Sequence, residues 1–254
     1  MTLFSLSQLA SWLLLGAGIG WFGGLFGIGG GVIAIPLMVI AFGMDQAMAQ
    51  GTALVLMVPN LVIGWWRYQQ RHAVNWVPAA IIAVSATVTT GLIAAWATRL
   101  DASVLGRLFA GFLGLMALYM LWQTRGSKPL PPEQPLRRRW VSLLGVAGGS
   151  SMGLFGIGGG LLAAPVLSGW LGQRQTVAQS LALALVAPSS AMALFTYAEA
   201  QRVDWQLGIP LAIGGMFTVS AGVALAHRLP ERTMRIIFAL MLLSTALWLG
   251  LVRH

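Results

Sequence analysis

The residues in this sequence whose types and spacing could do chemistry are mostly glycines. The octet Gly24 to Gly31 reads GLFGIGGG, and Gly153 to Gly160 reads GLFGIGGG again, 129 positions later. Glycine lets a backbone approach a ligand closely and take positive φ. Where such a run opens a helix, unpaired N–H groups and the positive end of the helix dipole face the same gap. The two tips, Gly27, Gly29, Gly30 and Gly31 with Gly156, Gly158, Gly159 and Gly160, therefore predict a small-anion site that needs no charged side chain. Polar side chains on the third segment of each half would add to it: Gln50 and Gln179, and Asn60 and Ser189, at matching places, with Thr52 and Ser180 close by, Ser180 aligning with Gly51. An amide buried in lipid is costly unless it meets protein, water or substrate, so the glutamine pair reads as substrate contact or as interhelical glue. Pro36 and Pro165, five residues past each tip, are expected to shape their helices.

Other patterns point elsewhere. Gly16, Gly20 and Gly24, like Gly145, Gly149 and Gly153, keep the small-xxx-small spacing of closely packed membrane helices. Gly18 to Gly23 matches G-x-G-x-x-G, but it sits inside an apolar segment with no strand before it, so a nucleotide site is not expected. All six acids, Asp45, Asp101, Glu133, Glu199, Asp204 and Glu231, fall in loops or near segment ends. A carboxylate proton relay or a cation site at the membrane centre is therefore unsupported. An intramembrane hydrolase is disfavoured too, because no Asp pair, HExxH or Ser-plus-base constellation appears at membrane depth. With no cysteine and three scattered histidines (His72, His227, His254), neither a metal nor another cofactor is expected.

The elements that position these residues follow from composition. Of 254 residues, 57% are hydrophobic and 8% charged, against ~25% charged in ordinary soluble domains. The expected class is an all-α polytopic membrane protein. Its net charge of +9 would suggest nucleic acid in a soluble protein, but here it reads as basic residues on cytoplasmic loops. No Lys or Arg precedes Arg67, so the first apolar segment is expected to remain in the mature protein.

The duplication runs beyond the octets, through Ala34/Ala163, Pro36/Pro165, Gln50/Gln179, Pro59/Pro188, Tyr68/Tyr197 and Trp76/Trp205 at one fixed offset. It predicts a first repeat at 1–126, a polar cytoplasmic linker at 127–139 and a second repeat at 140–254. Each repeat carries five apolar segments: about 9–22, 32–43, 47–66, 77–98 and 103–123, then 140–151, 161–171, 176–196, 206–227 and 233–251. The last three of each set can span a ~30 Å core, whereas 9–22 and 32–43 reach only ~21 and ~18 Å. A glycine-tipped hairpin plus three transmembrane helices is therefore expected in each half, with the hairpin either re-entrant or crossing at a tilt. Placing the linker inside also places Arg67, Arg71, Arg174, Arg228, Arg232 and Arg235 inside, which favours repeats inserted upside down relative to each other. Trp65, Trp66, Trp76, Trp122, Trp140, Trp170 and Trp205 fall near segment ends, where indole prefers the interface.

The doubled GxGGG with its following proline resembles the TauE/SafE (sulfite exporter, TSUP) family of membrane transport proteins. Ala49-Gln50-Gly51-Thr52, Ala178-Gln179-Ser180 and the Val-Asn/Asp-Trp turns at Val74 and Val203 extend the likeness over nearly the whole chain. The resemblance implies a carrier of sulfite, thiosulfate or organosulfonates in the cell membrane. Gly51/Ser180 and Asn60/Ser189 depart from strict repetition, so the halves need not bind alike. Export is favoured, since an inside-negative potential drives each negative charge outward by ~2.3 kcal/mol per 100 mV. The alternatives are an uptake carrier and a non-transporting scaffold or accessory subunit. The expected partners are a small anion and the bilayer, with a homodimer left open.

Overall fold

The computed structural model describes residues 6–26, 29–71, 76–124, 136–157, 159–173, 175–226 and 231–252. Gly27, Gly158, Val74, Arg174, Arg228, Glu133, the three histidines and residues 127–135 of the expected linker lie outside them. The described residues form ten α-helices and no strand. These are α1 (Leu6–Phe26), α2 (Gly31–Ala41), α3 (Gln46–Arg71), α4 (Trp76–Ala97), α5 (Ala102–Thr124), α6 (Arg138–Phe155), α7 (Gly159–Gly169), α8 (Gln175–Glu199), α9 (Trp205–Ala226) and α10 (Glu231–Val252). Six of them, α1, α3, α4, α5, α8 and α9, contain stretches long and apolar enough to cross a membrane.

The hairpins differ from expectation in one respect. Their first helices are not short: α1 has 21 residues and α6 has 18, or ~31 and ~27 Å. Gly23, Gly24 and Gly153 stay helical beyond the expected ends. Their missing side chains admit a neighbouring backbone, which offsets glycine's poor helix propensity. The second helices are short, 11 residues each for α2 and α7, about half the hydrocarbon thickness.

The two halves are built into each other. Helix α1 packs on α9 and α6 packs on α4, while α3 meets α8 and α5 meets α10. A Cβ on Gly16, Gly20 or Gly24 would run into the backbone at Leu211, Gly215 or Val219, so α1 and α9 run parallel with almost no gap. Gly145, Gly149 and Gly153 of α6 meet α4 in the same rising order, at Ile82, Ala86 and Thr90. Two hydroxyls fasten these contacts: Thr218 donates to the Ala17 carbonyl at 2.6 Å, and Thr90 donates to the Gly149 carbonyl at 2.9 Å. Lipid removes the hydrophobic drive between helices, so close van der Waals contact and such bonds must hold them together.

The repeats also fold alike locally. Helices α2 and α7 are both followed by a left-handed glycine, Gly43 and Gly172, each at φ 63°. The N–H groups just after them, of Met44 and Gln173, reach back to the carbonyls of Met38 and Leu167. On the outside, Val84, Val88 and Leu92 of α4 form an exposed apolar stripe, suited to acyl chains. Trp66, Trp76, Trp122, Trp140, Trp170 and Trp205 are exposed near helix ends, while Trp65 is half-buried.

Candidate functional site

The first tip is a left-handed pair, Gly29 at φ 71° and Gly30 at φ 90°, with Gly30 as the N-cap of α2. An L side chain adopts this conformation only under strain. The N–H groups of Ile33 and Ala34 bond to the Gly30 carbonyl at 3.1 and 3.0 Å, which fixes the start of the helix. The second tip differs: Gly156, at φ 67°, ends α6, and α7 begins directly at Gly159.

The two tips come together. Gly31 lies against the side chain of Ile157, with the Met57 thioether on the same spot. Gly156 lies against Gln50, where an added Cβ would sit 3.4 Å from the Gln50 Cβ. Helix α3 therefore touches both tips, through Met57 and Gln50. Helix α8 supports the second one, with Leu185 against Gly159 and Val186 against Gly160.

The polar residues divide into engaged and unengaged groups. Gln50 is fully buried; its Oε1 accepts from the Tyr197 hydroxyl at 2.7 Å, and its Nε2 has no partner. Tyr197 has one proton to give and also lies 3.2 Å from the Gly153 carbonyl, so its hydroxyl ties α3, α6 and α8 together. Asn60 is 2% exposed with neither amide atom bonded, and its Nδ2 faces Gly215 of α9. The buried Ser180 hydroxyl is likewise unpartnered. Thr52 is fully buried; its Oγ1 accepts the Asp204 N–H at 2.9 Å and anchors the α8–α9 turn to α3. Ser189 donates to the Leu185 carbonyl of its own helix at 2.6 Å. Gln179 is half-buried and engaged. Pro36 is buried inside α2, and Pro165 lies within α7.

The charged groups stand at helix ends. Asp45 caps α3 by accepting the Met48 N–H at 2.9 Å, and its other oxygen pairs with Arg202 at 3.1 Å. Both side chains are 39% exposed, so solvent leaves the pair worth no more than ~1 kcal/mol. It still fixes the α8–α9 turn over the start of α3. Among the described residues, no cluster of three His, Asp or Glu side chains could hold a metal ion.

Two buried groups stand out beyond those the sequence suggested. Tyr197 was visible only as a repeat partner of Tyr68. Gln46 is fully buried at the first position of α3, with both amide atoms unpartnered. Its signal was a repeated spacing, Gln46-x-x-x-Gln50 in one half and Gln175-x-x-x-Gln179 in the other.

The model of the family described as "Sulfite exporter TauE/SafE" matches residues 12–249. The chain belongs to the TauE/SafE family. Its similar relatives bear the name "Probable membrane transporter protein". One from Xylella fastidiosa strain 9a5c is 26% identical over 91% of this chain and 90% of its own length. Another, from Haemophilus influenzae, is 26% identical over 92% of this chain and 95% of its own. A third, from Methanocaldococcus jannaschii, is 31% identical over 61% of this chain and 60% of its own length. As a TauE/SafE member with six helices, among the described residues, long and apolar enough to cross a membrane, the chain is a multi-pass membrane protein of a transporter family.

Proposed function

We propose that this TauE/SafE protein carries small sulfur-containing anions outward across the cell membrane, with sulfite, thiosulfate or an organosulfonate as substrate. The observation that carries this reading is the meeting of the two glycine tips beside a buried glutamine whose amide N–H groups are unpartnered. Backbone N–H groups of Gly31 and Val32 at the start of α2 and the Gln50 amide would replace an anion's hydration shell. The described carboxylates stand at helix ends, and Asp45, beside the start of α3, is paired with Arg202. Met57 and Ile157 fill the junction in this conformation, so passage requires those two side chains to move aside.

The orientation reading fits the same picture. Gln50, near the start of α3, meets Tyr197, near the end of its repeat counterpart α8. Such antiparallel contact between equivalent helices is what oppositely inserted repeats would give, with the linker on the cytoplasmic side.

Binding tests the substrate class. In purified protein, sulfite, thiosulfate and an alkanesulfonate are expected to raise Tm, while chloride and exchange of sodium for potassium are not. Gln50→Ala should lose most of that ligand-induced rise. If Gln50→Ala lowers the unliganded Tm but keeps the full rise, Gln50 is a packing residue and the site lies elsewhere.

A further inference from the structure

The tips and Gln50 do not account for Gln46. Its side chain is fully buried, and its Nε2 and Oε1 both lack a partner. Leaving a polar group so placed costs stability, commonly ~1–3 kcal/mol. A buried carboxamide with neither end bonded is a feature that stability alone would not retain.

Its position gives it a use. Gln46 and Gln50 are four residues apart on α3, so they lie on one face with Cβ atoms ~6 Å apart. Gln50 on that face looks towards Gly156 and Tyr197. Gln46 stands one turn nearer the helix start, where Asp45 pairs with Arg202; just beyond Gln50, a Cβ on Gly51 would strike the Arg202 carbonyl. The α8–α9 turn thus covers this end of α3, and the Arg202 guanidinium there offsets the Asp45 carboxylate beside Gln46. The spacing recurs at Gln175 and Gln179, the start of α8.

Resting on the anion-carrier reading above, we infer that Gln46 is a second substrate-binding residue, whose amide N–H group joins that of Gln50 on one oxyanion. Two unpartnered donors one helical turn apart match two oxygens of a sulfite or sulfonate group, or two successive positions of one moving inward. The Gln46 amide is free to turn its Nε2–H groups to the ligand, since neither end is committed to another partner.

The test separates ligand binding from packing through opposite signs. Gln46→Leu keeps the volume and removes an unpartnered polar group, so the unliganded Tm should hold or rise. Affinity for sulfite and thiosulfate, read by calorimetry on the full chain in detergent, should fall about tenfold or more, the loss of one hydrogen bond to a charged group. Gln46→Glu places a like charge at the ligand and should abolish binding of both anions. A Gln46→Leu protein that binds both anions as wild type does overturns the inference while leaving the carrier reading intact. A fall in the unliganded Tm with unchanged affinity overturns it as well, by returning Gln46 to the fold. If the wild-type protein binds neither anion, the carrier reading fails and this inference fails with it.

Discussion

Gly30→Val is expected to stop anion flux in a protein that still folds. Gly30 sits at φ 90°, where an L residue is strained by ~1–2 kcal/mol, and a β-branched one most of all. Space is short as well. A Cβ there would lie 2.8 Å from Ile19 Cγ2 and 3.0 Å from the Ile19 carbonyl oxygen. The chain can relieve both by rotating Gly30 away, but the Gly30 carbonyl receives the first bonds of α2. Relief therefore re-aims the α2 terminus and its N–H groups, which removes the proposed site. Flux should fall below about a tenth of wild type, since 1.4 kcal/mol is already tenfold. Gly111→Ala, where nothing lies within 4 Å of the added Cβ, is the control and should transport normally. Normal flux in a folded Gly30→Val protein would remove the first tip from the pathway.

Gly20→Leu should have the larger effect on the fold itself. A Cβ at Gly20 would collide with the Gly215 backbone of α9, and backbone cannot swing aside as a flexible side chain can. Overpacking a core costs ~1–3 kcal/mol even where side chains can yield. Here two parallel helices must separate, and ~3 kcal/mol or more is expected. For a chain of this size that means a Tm lower by about 10 °C, together with poor recovery of monodisperse protein. Gly18→Leu, only two residues away, faces open space and should leave Tm almost unchanged. Equal tolerance of both changes would contradict the close α1–α9 contact.

Much of this was legible beforehand, for physical reasons. Apolar runs bounded by turns are the strongest signal a membrane chain carries, so the ten helices fall near the expected segments. The exact repeat located both tips without any knowledge of packing. What stayed hidden depended on contacts between residues remote in sequence. The helical extent of Gly24 and Gly153 depends on which helix lies against them, and that of Gly23 on the Gly29–Gly30 backbone, while local propensity argues the other way. Tyr197 becomes a partner of Gln50 only because the fold brings together residues 147 apart. The anchoring of the α8–α9 turn by Thr52, through the Asp204 N–H, likewise joins residues 152 apart. Gln46 lies at the edge of an apolar segment, where its repeated spacing to Gln50 is a weak signal that gains meaning only from burial.

Anions are proposed to cross the membrane through this chain. The most direct test is sulfite efflux from liposomes containing the purified wild-type protein, followed with an inside-negative potential imposed. Efflux is expected well above that of protein-free liposomes, faster as the interior becomes more negative, at ~2.3 kcal/mol of drive per charge per 100 mV. Efflux equal to that of protein-free liposomes, for sulfite, thiosulfate and an alkanesulfonate alike, would contradict it.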